Sequence, residues 1–98
     1  MNYELTIFTV PFCSYCNRLK KSLDELNIPY LDFDVIENRE DWLKIVEKIG
    51  IDILPTTYIK ETGSEDGMFY IPGKDYQTDD EIVEIIKTYF NNNWQGDF

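Results

Sequence analysis

The sequence predicts an α/β domain in layers: a four-stranded mixed sheet with three helices spread over its two faces. Three observations predict it. Strand-like and helix-like runs alternate early and end in two adjacent strands and a helix, in the order strand, helix, strand, helix, strand, strand, helix. A helix between two strands makes them parallel and a turn makes them antiparallel, so this order gives a mixed sheet. The helix-like runs each carry one apolar stripe, so each covers a sheet face and leaves its other side in water. Finally, 98 residues is the length of one small domain, and no repeat or linker divides it. Residues 1–98 are read as a single domain, with residues 91–98 as a C-terminal tail.

Glu4–Val10 is rich in β-branched and aromatic residues and has no breaker, so it reads as the first strand. Pro11 and Phe12 turn the chain into a helix over Ser14–Leu26. There Cys16, Leu19, Leu23 and Leu26 recur at three- and four-residue spacing, opposite Arg18, Lys21, Asp24 and Glu25. Asn27 suits a left-handed cap, and Pro29 forbids continuation. Tyr30–Val35 alternates, with Leu31, Phe33 and Val35 on one face and Asp32 and Asp34 on the other. A connecting helix makes this strand parallel to the first. Asn38 is placed to cap a second helix, with Glu40 and Asp41 in its first turn, a stripe of Trp42, Ile45, Val46 and Ile49, and Gly50 at its end. Trp42 keeps register with that stripe, which favours core packing over ligand binding.

Pro55 precedes a third strand at Thr56–Lys60, where a proline belongs at the start. A Gly- and acid-rich loop, Glu61–Gly67, leads to a short antiparallel partner, Met68–Ile71. Pro72 and Gly73 form a turn. Thr78–Glu81 is a capping box, opening a third helix with Ile82, Val83, Ile86, Tyr89 and Phe90 on one side. Asn91–Asn93 is expected to stop it. Trp94 and Phe98 put two aromatics in the tail, and the sequence alone does not place them.

The chemistry lies in Cys13-Ser14-Tyr15-Cys16, which contains both cysteines of the chain. Cys13 falls where a strand becomes the first turn of a helix. The first N–H groups of a helix lack internal partners and carry partial positive charge. A thiolate there accepts them, and its pKa falls. Cys16 lies one helical turn on, on the same side. It can attack a mixed disulfide formed on Cys13, which is the minimal apparatus of thiol–disulfide exchange. Three other readings compete. A structural disulfide over so short a loop removes little unfolded-state entropy. Structural zinc takes four ligands, usually Cys or His, and the chain has no His and no further Cys; a site shared by two chains stays open. Two inert core thiols fit poorly with a helix start.

Hydrophobic residues make up 43% and aromatics 15%, enough for a compact core. No apolar run is long enough for a transmembrane helix. The first strand begins almost at once, leaving no room for a signal peptide, so a cytoplasmic location is expected. There a lone cysteine pair is more often catalytic than structural. The net charge of −10 argues against nucleic acid and anionic membranes as partners. Arg18, Lys20 and Lys21 cluster after the cysteine pair. They read first as a solvated helix face, and second as a positive field favouring thiolate and anionic partners.

With these motifs placed, the chain from about Glu4 to Phe90 resembles the glutaredoxins, within the thioredoxin fold. The resemblance rests on Cys13-Ser14-Tyr15-Cys16, which is similar to that family's Cys-Pro/Ser-Tyr-Cys. Leu54-Pro55-Thr56 stands in the place of its proline motif, and Pro72-Gly73-Lys74-Asp75 near its glycine turn. The resemblance implies a three-layer α/β/α sandwich, with Cys13 as attacking thiolate and Cys16 as resolving thiol. It implies a cis Pro55, with the backbone of Leu54 pairing with substrate as an added strand would. Tyr15 would line the groove, and Gly73, Lys74 and Asp75 would meet the γ-glutamyl end of glutathione. Val10 stands where many relatives carry Lys or Arg, and Ile51-Asp52-Ile53-Leu54 where many carry a basic residue; Lys48 or Lys74 are the candidates to substitute. Pro72 replaces a common first glycine.

The function expected is a glutathione-linked oxidoreductase that reduces protein disulfides or glutathione mixed disulfides, working as a monomer without a bound cofactor or metal and using glutathione as co-substrate. Two alternatives stand beside it. One is a dimer holding a 2Fe–2S cluster through the first cysteine and glutathione, which Ser14 in place of proline makes easier by freeing the helix start. The other is an electron donor dedicated to one enzyme, such as ribonucleotide reductase, and reduced by a thioredoxin reductase.

Overall fold

The computed structural model describes residues 2–95, with side chains from Asn2 to Phe90. Seven elements follow in the expected order: β1 Tyr3–Thr9, α1 Ser14–Glu25, β2 Leu31–Asp34, α2 Arg39–Ile49, β3 Thr56–Glu61, β4 Gly67–Tyr70 and α3 Asp79–Gln95. They form one four-stranded sheet in the order β2-β1-β3-β4. β1 runs parallel to β2, from Thr6 opposite Leu31 to Thr9 opposite Asp34. β3 is antiparallel to β1, with Phe8 opposite Thr56, and β4 is antiparallel to β3. Among the described residues, no helix is long and apolar enough to cross a membrane.

The two sheet faces make two cores. Successive strand residues point to opposite faces, so neighbours Ile7 and Phe8 join different clusters. Leu5, Ile7 and Ile59 pack with Leu19 and Leu23 of α1 and Ile82, Ile86 and Phe90 of α3. Phe8, Val35 and Trp42 pack with Phe33, Ile45, Val46, Tyr58 and Phe69. Trp42 is thus a core residue, stacked near Phe8 with ring centres 5.2 Å apart. Its Nε1–H donates to Asp52 Oδ1 at 3.0 Å. Asp52 thus gives a buried indole its partner.

The α1 stop is the expected left-handed one. Asn27 has φ 57°, its N–H donates to Asp24 O, and the Ile28 N–H donates to Leu23 O. This double bond pattern satisfies carbonyls that the helix end leaves open. Gly50 ends α2 at φ 81°. The capping box of α3 forms in both directions: the Glu81 N–H donates to Thr78 Oγ1 at 3.2 Å and the Thr78 N–H to Glu81 Oε1 at 3.1 Å.

Three local expectations need correction. Asn38 occupies the N-cap of α2, but its side chain makes no cap bond. Its Nδ2 donates instead to Asp34 O at 2.9 Å, drawn back to the end of β2. Asn91–Asn93 does not stop α3, which continues to Gln95. Asn is a weaker helix former than Ala by only ~0.7 kcal/mol or less, and neither Gly nor Pro is present to break the ladder. Leu26 lies at the exposed C-cap rather than in the stripe. The tail side chains, Trp94 and Phe98 included, lie outside the described residues.

Candidate active site

Cys13 is the N-cap of α1, with extended backbone angles (φ −92°, ψ 110°). Its Sγ accepts the N–H of Cys16 at 3.2 Å, and its carbonyl accepts the N–H of Asn17 at 3.0 Å. The sulfur therefore takes one of the N–H groups the helix start leaves unpaired. Cys13 is half-buried, whereas Cys16 is completely buried beside Leu19. The two are joined by a disulfide, Cα to Cα 5.2 Å. Phe12, just before Cys13, is fully exposed and has φ 63°. A left-handed backbone at a bulky residue costs on the order of 1–3 kcal/mol, and such residues cluster at functional sites. Here it falls where the chain passes from β1 into α1, and the Phe12 ring stands bare in solvent.

A cleft of about 500 Å³ opens at the start of α1. It is lined by Tyr15 and Arg18 of α1, by Ile53, Leu54 and Pro55 before β3, and by residues 72 and 76–79 between β4 and the start of α3. The Leu54–Pro55 bond is cis. The structure thus brings Tyr15, Leu54 and Pro55 to one cleft. Gly73, Lys74 and Asp75 do not line it; they form the adjoining turn between its neighbours Pro72 and Tyr76. Gly73 takes φ 83°, and Asp75 Oδ2 accepts the Ile71 N–H at 2.8 Å. One oxygen of that carboxylate is therefore occupied in closing the turn.

Tyr76 is the residue that sequence reasoning missed. It is buried, lines the cleft, and donates its hydroxyl to Pro55 O at 2.8 Å. Burial first, then the negative charges of Asp79 and Asp75, push its phenol well above the ordinary range. It stays protonated and remains a donor. This bond ties the turn to the proline loop across 21 residues. A lone Tyr after a glycine turn carries no local signal for it.

The basic cluster is mostly paired. Arg18 Nε meets Asp79 Oδ2 at 2.9 Å, and the guanidinium lies 4.6 Å from the centre of the Tyr15 ring. Lys20 Nζ meets Asp32 Oδ2 at 2.9 Å. Burial pushes the Asp32 carboxyl up, but hydrogen bonds from Lys20 and Thr9 outweigh it and hold the carboxyl below its usual range. With Arg18 and Lys20 each facing a carboxylate, most of the activation of the thiol is expected from the helix start. The reduced Cys13 thiol should titrate clearly below the free value of about 8.5. Thiolate absorbance against pH in Cys16→Ser checks this, and a midpoint at or above the free value rejects it.

A family model described as glutaredoxin matches residues 5–63, from β1 past the end of β3. No curated protein matches the chain. Among solved structures, a mutant thioredoxin from Halobacterium salinarum aligns with a TM-score of 0.61 at 20% identity, over 89% of this chain and 74% of that one. A thioredoxin-like protein aligns at 0.59 and 17% identity, over 89% and 99%. A Plasmodium falciparum thioredoxin aligns at 0.55 and 16%, over 89% and 70%. At these identities the likeness is one of fold.

Proposed function

Because the chain belongs to the glutaredoxin family and is a thiol–disulfide oxidoreductase, we propose that it takes electrons from glutathione and passes them to protein disulfides or glutathione mixed disulfides. The observation that carries this reading is the unequal burial of the two sulfurs at a helix start beside a cleft. Half-buried Cys13 caps α1, and Cys16 is closed off one turn later. The Cys13 thiolate attacks a substrate disulfide, forming a mixed disulfide and releasing one substrate sulfur as a thiolate, which takes up a proton. Cys16 then gives up its proton and attacks Cys13 Sγ, expelling the second substrate sulfur. The pair ends as the Cys13–Cys16 disulfide. One glutathione thiolate opens that disulfide to a Cys13–glutathione adduct, and a second takes the adduct away as glutathione disulfide.

The cleft supports a tripeptide thiol. Leu54 offers backbone next to Tyr15, and Gly73, Lys74 and Asp75 stand on the turn behind. Tyr15 and Ile53 line the cleft and are exposed, and Phe12 before Cys13 is exposed too; apolar surface of this kind supports protein substrates as well.

Glutathione at neutral pH is a net anion, and the protein is strongly acidic, so general electrostatics slow their encounter. Losing one charge-assisted hydrogen bond costs about 1.5–3 kcal/mol, roughly ten- to a hundredfold in affinity. The expected result is turnover of a glutathionylated peptide with weak apparent affinity for glutathione and little loss on raising salt. Steady-state kinetics at low and moderate ionic strength test it. Failure of glutathione to support turnover, alongside brisk reduction by a thioredoxin reductase, would overturn glutathione as the reductant.

A further inference from the structure

The structure assigns to Arg18 a selective role that rests on this reading: it receives a carboxylate borne by the disulfide substrate, and Asp79 competes for the same guanidinium from within the chain. The charged residues lining the cleft are Arg18 and Asp79. Their contact joins α1 to the first turn of α3 across 61 residues. Both ends are open to water, with side-chain exposures of 57% and 32%. Exposed ion pairs of this kind hold together by no more than about fivefold over the separated state, and many contribute nothing measurable. Asp79 engages Nε alone, so the two Nη groups have no hydrogen-bond partner among the described residues. A guanidinium has five donors in a fork that fits a carboxylate two-fold. Tyr15 holds that fork in place from below, with the guanidinium over its ring.

A carboxylate arriving on a ligand whose sulfur meets Cys13 would find Arg18 one turn along α1 from Tyr15. It would displace Asp79 into solvent. One ion pair breaks as another forms, so the wild-type protein binds the anion weakly and with little response to salt. Asp79 is a mask, and removing its charge should expose a salt-sensitive anion site.

Titration by NMR with S-methylglutathione, which cannot exchange, reads this without turnover. Its form with both carboxyls amidated serves as reference. The measured quantity is the ratio of the two dissociation constants, amide over acid. Asp79→Asn should raise that ratio about two- to fivefold and make it fall with added salt. Arg18→Gln should lower it roughly three- to tenfold, and retained binding of the amidated form shows that the variant is folded. Asp80→Asn, one residue further into the same helix turn, and Lys21→Gln, outside the cleft, should leave the ratio within about twofold, which separates partner exchange from net charge and from the helix dipole. A second arm uses an S-methylcysteine peptide with Asp or Asn beside the cysteine. A ratio that depends on Arg18 in the glutathione arm identifies a small anionic thiol as the source of the carboxylate. Dependence in the peptide arm identifies acidic protein substrates. Either supports the inference. Ratios unmoved by Arg18→Gln in both arms overturn it, and insulin disulfide reduction by the same wild-type protein shows separately whether the exchange reading stands.

Discussion

Cys13→Ser should abolish exchange with every disulfide, and Cys16→Ser should divide the activities. The first variant removes the only sulfur with access to a substrate: Cys16 is wholly buried beside Leu19, and Cys13 is half-exposed. The second variant keeps the attacking thiolate at the helix start but has nothing to resolve a mixed disulfide. Reduction of protein disulfides should stop after one step, with substrate trapped on Cys13. Removal of glutathione from a mixed disulfide should continue, because a free glutathione can resolve it from solution. Alkylation gives an independent check. In the reduced protein, iodoacetamide should label Cys13 well before Cys16, and the reverse order would exchange the two roles.

Tyr76→Ala should be among the most damaging substitutions outside the cysteine pair. The ring is part of the core between the sheet, α1 and α3, and the hydroxyl is the link to Pro55 O. Truncating a buried aromatic costs about 3–5 kcal/mol. Domains of this size have ~5–15 kcal/mol in all, and at about 4–8 °C per kcal/mol the midpoint should fall by roughly 12 °C or more. Tyr76→Phe isolates the hydrogen bond. It keeps the ring and leaves a buried carbonyl unpaired, at a cost of about 1–3 kcal/mol. Because that carbonyl belongs to Pro55, which lines the cleft, the Phe variant should also raise the apparent KM for a glutathionylated peptide more than it lowers kcat. Thermal unfolding of the oxidised protein measures the first effect. A Phe variant that melts within about 2 °C of wild type would mean that water or another group replaces the hydroxyl.

Much of this molecule can be read along the chain. The strands, the helices, the αL stops at Asn27 and Gly50 and the box at Thr78–Glu81 follow from spacing and end chemistry, which act over a few residues. Cys13 at the N-cap and Cys16 facing inward follow in the same way. Trp42 in the core followed from its register with Ile45 and Val46. The sequence signal weakened where a side chain had a choice of partner. Asn38 stood in the right position yet turned to Asp34 O, and Asn91–Asn93 lacked the chemistry to end α3.

The cleft belongs to the tertiary structure. Tyr15 and Leu54–Pro55 lie on separate motifs, and the sheet order β2-β1-β3-β4 sets the start of α1 beside the loop before β3. Tyr76 reaching Pro55, and Arg18 pairing with Asp79 rather than standing free beside Cys13, have no trace in local pattern. The reason is physical. Helix stripes, strand alternation and caps depend on the dihedrals and neighbours of a few consecutive residues. The partner of a tyrosine hydroxyl or a guanidinium depends on which elements pack together, and that is decided by the burial of the whole core.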